Sequence, residues 1–280
     1  MDINKIKIVA DSGSDIRSME GVAFSSAPLK IITSVKEYVD SPDLDVAEMV
    51  NDLKSYNGRS TTSCPNPEDW LSAFGDAEWV FCLTITATLS GSYNSAMLAK
   101  KQYEEAHEGR RVLVFNSLST GPEMVLLSEK IKENILLGKD FDTISAELDE
   151  YAKTTGLVFV LESLKNLANN GRVSKLVANM AGILGIRLVA KASDKGDVEP
   201  INKVRGERKS LEAVVDYLIE NGLKTGKAKI GHCVNQASAD TLKALIGEKI
   251  PAASVEIYPL GGLCSFYAEK GGLIIGYEKF

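Results

Sequence analysis

The chain has 280 residues, of which 44% are hydrophobic and 25% charged, with 32 Lys and Arg against 38 Asp and Glu. This composition excludes intrinsic disorder, and a net charge of -6 offers no broad attraction for phosphate backbones, so nucleic acid is not an expected partner. At about 150 residues per domain, the length predicts two domains, each able to bury a core.

In chain order, short apolar runs at 6–10, 22–28, 79–85 and 111–115 read as strands interleaved with amphipathic segments, the pattern of an α/β sheet. Met124, Leu127, Ile131 and Ile135 recur at three- and four-residue steps, and Gly138 supplies a helix stop. Asp140 follows as an N-cap for a helix whose stripe is Phe141, Ile144, Leu148 and Tyr151. Thr154-Thr155-Gly156 then breaks the pattern before the buried run 157–161, which places a domain boundary near residue 155. Beyond it, strands are expected at 187–191, 228–234, 254–258 and 273–277. Between them lies a helix carrying Leu211, Val214, Val215, Leu218 and Ile219 and closing at Gly222.

Several chemistries are disfavoured. Cys64, Cys82, Cys233 and Cys264 lack the close spacing of a zinc or redox motif and read as free thiols. Only two histidines are present, His107 in a polar surface stretch and His232, which argues against a histidine-rich metal centre. Neither the dinucleotide fingerprint nor the lysine-bearing phosphate loop follows a predicted strand, and no serine occupies a glycine-flanked nucleophile elbow. The first residues lack a secretory core and no apolar run is long enough to span a bilayer, so a cytoplasmic location is expected.

What remains is a set of hydroxyls where helices begin. Arg59-Ser60-Thr61-Thr62-Ser63-Cys64-Pro65 runs into Asn66-Pro67, an N-cap followed by proline at the first helical position. After the strand at 79–85, Thr86-Ala87-Thr88-Leu89-Ser90-Gly91-Ser92 precedes a helical run from about Asn94. Both loops would lie at the carboxyl ends of sheet strands, where such folds bind ligands, and hydroxyls with free amides suit a small anion. Any one of these residues reads equally well as a cap or turn former; two such loops together favour binding.

These residues resemble the DegV family. Thr62-Ser63-x-Pro65 and Leu89-Ser90-Gly91-Ser92-Tyr93-Asn94-Ser95-Ala96 look like its two hydroxyl motifs, Asp11-Ser12-Gly13-Ser14-Asp15 like its opening signature, and Gly171-Arg172-Val173-Ser174-Lys175 like its glycine-arginine turn. The resemblance implies a two-domain fold: a doubly wound α/β domain with a parallel sheet over residues 1–155, and an α+β domain over 156–280. One fatty acid would lie between them. Carried over, Thr62 and Ser90 would hold the carboxylate with help from Ser63, Ser92 and the Gly91 amide, while Arg172 supplies positive charge. Family members present the acid to a separate ATP-dependent kinase subunit; such a protein is not itself an enzyme and needs no cofactor.

The chain departs from the family where a histidine is usual, because the register there gives Tyr267, a hydroxyl without a basic nitrogen. Asn116-Ser117 replaces an aspartate-serine pair, Gly121-Pro122-Glu123 a more glycine-rich turn, and Cys64 a frequent glutamine. Met180, Ile183, Leu184 and Ile186 are the expected tunnel residues. The competing reading is a phosphatase or phosphotransferase acting on a small anion, with Asp11 and Asp15 around a divalent metal.

Overall fold

The computed structural model describes residues 2–174, 177 and 185–280. In the first half, β1 (Ile6–Asp11) and β2 (Ala23–Ala27) are followed by the short strands β3 (Lys30–Ile32) and β4 (Glu37–Val39). Helix α1 (Val46–Ser55) starts where the Asp45 carboxylate accepts from Glu48 N, and β5 (Thr61–Ser63) comes next. Then α2 (Pro67–Phe74), β6 (Trp79–Thr84), α3 (Ser92–Ala106), β7 (Arg111–Asn116), α4 (Gly121–Leu136) and α5 (Phe141–Ala152) alternate.

β2, β1, β6 and β7 form a parallel sheet in that order. Period two sends Ile8, Phe81 and Leu83 to one face, against Met124, Leu127 and Ile131 of α4 and Ile144 and Leu148 of α5. Val9, Val80 and Cys82 point the other way, onto Trp70 and Phe74 of α2 and Ala96, Ala99 and Tyr103 of α3. Both faces are covered, which is why the central strands β1 and β6 are largely apolar.

The second half builds β8 (Thr155–Leu161), α6 (Lys165–Asn169), β9 (Ile186–Ala192), β10 (Val198–Arg205), α7 (Glu207–Glu220), β11 (Lys227–His232), α8 (Gln236–Lys249), β12 (Ser254–Pro259), α9 (Gly262–Ala268) and β13 (Leu273–Glu278). Its sheet runs β10-β9-β8-β13-β11-β12, with only β11 and β12 parallel. Val158 and Val160 of β8 face α7 and α8, whereas Leu157, Phe159 and Leu161 face inward with Ile274 and Phe266. The small antiparallel sheet β4-β3-β5 delivers Ile31 and Tyr38 to that same inner cluster.

Helix α4 joins the two sheets. Its start sits so close to β13 that a Cβ on Gly276 would fall 2.4 Å from Glu123 N, so only glycine fits. Further along, Glu129 pairs with Lys227 at 3.2 Å and with Lys229 at 2.5 Å; the Lys229 side chain is only 4% exposed and also meets Glu256 at 2.6 Å.

The expected strands are present within a residue or two at each end, and α4, α5 and α7 contain the periodic residues expected of them. Helix α3 begins at Ser92, two residues before the expected start, and the stretch read as a loop before Cys64 contains β5, which pairs with β3 through Ile31 and Thr62. Three residues are too few to show a period. Of the expected tunnel residues, Met180, Ile183 and Leu184 lie outside the described residues.

Candidate functional site

Two devices, one at the surface and one buried, present the hydroxyl loops. Asn66 and Asp69 cap α2 reciprocally, each side-chain oxygen accepting from the other's backbone N–H at 2.9 Å, so the chain leaves β5 in a fixed direction. At the carboxyl end of β6, Asp11 Oδ2 accepts from Ile85 N at 2.9 Å and from Ser92 Oγ at 2.6 Å. This carboxylate therefore ties both ends of the 85–92 loop to β1. The hydroxyl of Ser90 inside that loop accepts from Ser92 N at 3.2 Å.

Thr62, Ser63, Ser90, Gly91, Arg172 and Tyr267 line one cavity of about 230 Å³, together with Leu29 and Cys64. Thr62 Oγ1 and the Tyr267 hydroxyl are 2.8 Å apart. Ser92 is not brought there: it is fully buried, its hydroxyl donates to Asp11, and it acts on the site only through the loop. Arg172 donates from Nε to Leu89 O at 2.9 Å and from Nη1 to Asn170 O. Among the described residues no carboxylate pairs with its guanidinium, so a full positive charge faces the cavity without a counter-ion.

A second space of about 100 Å³ adjoins this head cavity, the two sharing Ile85, Leu89, Arg172, Leu263 and Tyr267 in their walls. The second space is walled by Leu157, Phe159 and Leu161 of β8, by Leu167, Ala192 and Val198, and by Ala268 and Ile274. Ile186, the one expected tunnel residue that is described, is half-buried and does not line it. The β8 residues read in the sequence as ordinary core; only the position of the facing sheet turns them into a cavity wall.

At one wall of this space, the turn between β9 and β10 closes onto the first half. Thr88 Oγ1 donates to Gly196 O at 3.0 Å, and a Cβ on Gly196 would meet Thr86 Oγ1 at 2.1 Å; its φ of +80° independently calls for glycine.

The electrostatics favour a neutral set of donors around one cation. Burial pushes the Tyr267 phenol above its usual value, although the Thr62 hydrogen bond and Arg172 pull it back, so it remains a neutral donor near pH 7. Burial likewise raises the Cys64 thiol. Burial pushes Asp11 up to about 7 and Asp15 up to about 8, the latter also repelled by Asp40. Asp15 Oδ1 accepts from Gly261 N at 2.8 Å, whereas Asp11 is committed to Ile85 and Ser92, so the two acids brace different segments and do not face one another across a shared cavity. An arginine with no carboxylate partner among the described residues, several hydroxyls and an adjoining apolar space together suit an amphiphile with a single acidic head.

The family model described as "Uncharacterised protein, DegV family" matches residues 5–279. A DegV domain-containing protein of Streptococcus pneumoniae R6 is 42% identical over 276 residues, covering 97% of this chain and 98% of that protein. Among solved structures, a DegV family protein from Eubacterium eligens, loaded with heptadecanoic acid, superposes with a TM-score of 0.96 at 42% identity, covering 98% of this chain and 100% of that one. The Streptococcus pneumoniae Fatty Acid Kinase (Fak) B3 protein, loaded with linoleic acid, also gives 0.96, at 41% identity and 98% and 99% coverage.

Proposed function

Because the chain belongs to the DegV family, we propose that it binds one long-chain fatty acid and carries it, without itself being an enzyme, to a separate ATP-dependent kinase subunit. The acid head rests on Thr62, Ser63, Ser90 and the Gly91 amide, with Arg172 as its counter-ion and Tyr267 as a further donor. The tail occupies the apolar space between the sheets. Support comes from relatives above 40% identity that hold fatty acids, one of them named as the Fatty Acid Kinase (Fak) B3 protein.

The observation that carries this reading is the adjacency of the two cavities: hydroxyls and one guanidinium with no carboxylate partner among the described residues stand beside an apolar space that shares five of their wall residues. Each hydrogen bond to a carboxylate contributes about 1.5 to 3 kcal/mol. Each buried methylene contributes about 0.8 kcal/mol, so the tail outweighs the head once more than a few methylenes are enclosed. Affinity resides in the tail and orientation in the head.

We divide the chain at residue 155, since β8 is the first strand to enter the mixed sheet. No helix among the described residues is long and apolar enough to cross a membrane, and we place the protein in the cytoplasm. Purified protein should be denatured and extracted with organic solvent, and the extract analysed by mass spectrometry. One equivalent of fatty acid is expected; protein that neither contains fatty acid nor takes it up when supplied would refute the reading.

A further inference from the structure

Helix α9, which carries Tyr267, has no cap of its own: it starts at Gly261 with no side-chain partner from its own segment. Its first backbone donors are satisfied from the far end of the chain. Gly261 N donates to Asp15 Oδ1 at 2.8 Å, Gly262 N to Asp40 Oδ1 at 2.7 Å and Leu263 N to Asp40 Oδ2 at 2.9 Å. Both oxygens of a buried carboxylate from the first half are thus spent on a helix of the second half. Two glycines make this approach possible, because a Cβ on Gly262 would fall 2.8 Å from Asp40 Oδ1 and one on Gly261 would fall 2.9 Å from Asp15 Oδ1.

The other end of α9 is held from within the second half. Asn166 Nδ2 donates to Phe266 O at 2.8 Å, and Glu269 Oε1 accepts from Ser163 Oγ and Asn166 N at 3.0 Å. Between these anchors lie Leu263, Cys264, Tyr267 and Ala268, which face the ligand space. The Asp40 carboxylate is nowhere in that space.

Building on the fatty-acid reading, we propose that Asp40, with Asp15 beside it, is a positioning residue for the acid head: by capping α9 from across the fold it holds the Tyr267 hydroxyl against Thr62. Two-point capping fixes both the rotation and the advance of a short helix, whereas one hydrogen bond leaves a pivot. Tyr267 reaches the head site only when both halves are in register, so head-group binding reports on their docking.

The test is a double-mutant cycle in the full-length protein, measured as the fatty-acid dissociation constant. Asp40→Asn keeps one acceptor and turns an amide N–H towards the other backbone donor, and it should weaken binding about tenfold. In a Tyr267→Phe background the same change should have almost no further effect. Gly262→Ala, whose Cβ would fall 2.6 Å from Leu44 Cδ2 and 2.8 Å from Asp40 Oδ1 and so displaces both side chains, should show the same coupling and serves if Asp40→Asn folds poorly. A ¹³C label on the Tyr267 ring should report loss of the Thr62 hydrogen bond in Asp40→Asn. Equal fold-changes in both backgrounds, with the wild type binding normally, overturn the positioning role alone. A wild type that binds no fatty acid overturns the parent reading and this inference together.

Discussion

The hydroxyls of Thr62 and Tyr267 meet at 2.8 Å although 205 residues separate them in the chain. One comes from a three-residue strand in the first half, the other from a short helix near the end, and neither hydroxyl is at the head site until the two halves pack. In the free protein the pair shares a hydrogen; with an acid head present, both hydroxyls can turn their hydrogens towards it.

Removing Thr62 and Ser90 hydroxyls together, as Thr62→Ala with Ser90→Ala, should raise the fatty-acid dissociation constant by about ten- to a hundredfold, two charge-assisted hydrogen bonds being lost and partly replaced by water. Thermal stability should barely change, since neither hydroxyl supports the core. Titration with a fluorescent fatty acid checks the first point and calorimetric melting the second; unchanged binding would defeat the head assignment.

Ala192→Phe should narrow the tail space without touching the head, because Ala192 lines only the apolar chamber and is half-buried. Each methylene that no longer fits forfeits about 0.8 kcal/mol, so the preference should move towards shorter acids by roughly fourfold in affinity per carbon excluded. Competition among acids of increasing length reads this directly.

Gly196→Ala should accelerate ligand exchange. The added Cβ would collide with Thr86 Oγ1 and sits at a φ of +80°, so the turn between β9 and β10 must lift from Thr88. Stopped-flow displacement should show release about three- to tenfold faster, while tail-length preference stays close to that of the wild type. Unaltered release would show that this turn does not control access.

Asp15 predicts the direction of pH dependence. Burial and Asp40 raise it from 3.8 to about 8, so the folded protein holds a proton there that the unfolded chain gives up near pH 4. Between those values the folded state binds more protons, and stability therefore falls as pH rises through that window and levels off above it. Asp11 acts in the same direction up to about 7. Asp15→Asn, which keeps an acceptor for Gly261 N, should flatten the decline and gain on the order of 1 to 3 kcal/mol at pH 8. Melting temperatures from pH 5 to 9 provide the check; an unchanged slope in the variant would exclude Asp15 as a source.

Much of the site could be read from local chemistry. Asn66-Pro67 announced the start of α2, and the hydroxyl run before α3 announced the second loop, because caps and turns depend on residues a few positions apart. The segments β5, β10 and α9 were not legible. β5 and α9 are too short to display a period, and β10 is a sheet-edge strand whose polar residues carry no alternation to detect. Tyr267 could be named only by register, with nothing to say that it rides on a helix.

By itself the sequence determined the class of the fold and the two loops, since apolar periodicity and capping are properties of neighbouring residues. Only the tertiary structure decided that Ser92 supports Asp11 and does not face the ligand space, that Leu157, Phe159 and Leu161 wall a chamber, and that Asp40 reaches α9. These are contacts between distant segments, created when helix α4 and two buried carboxylates bring the sheets together, and no spacing along the chain encodes which side chains will then face empty space.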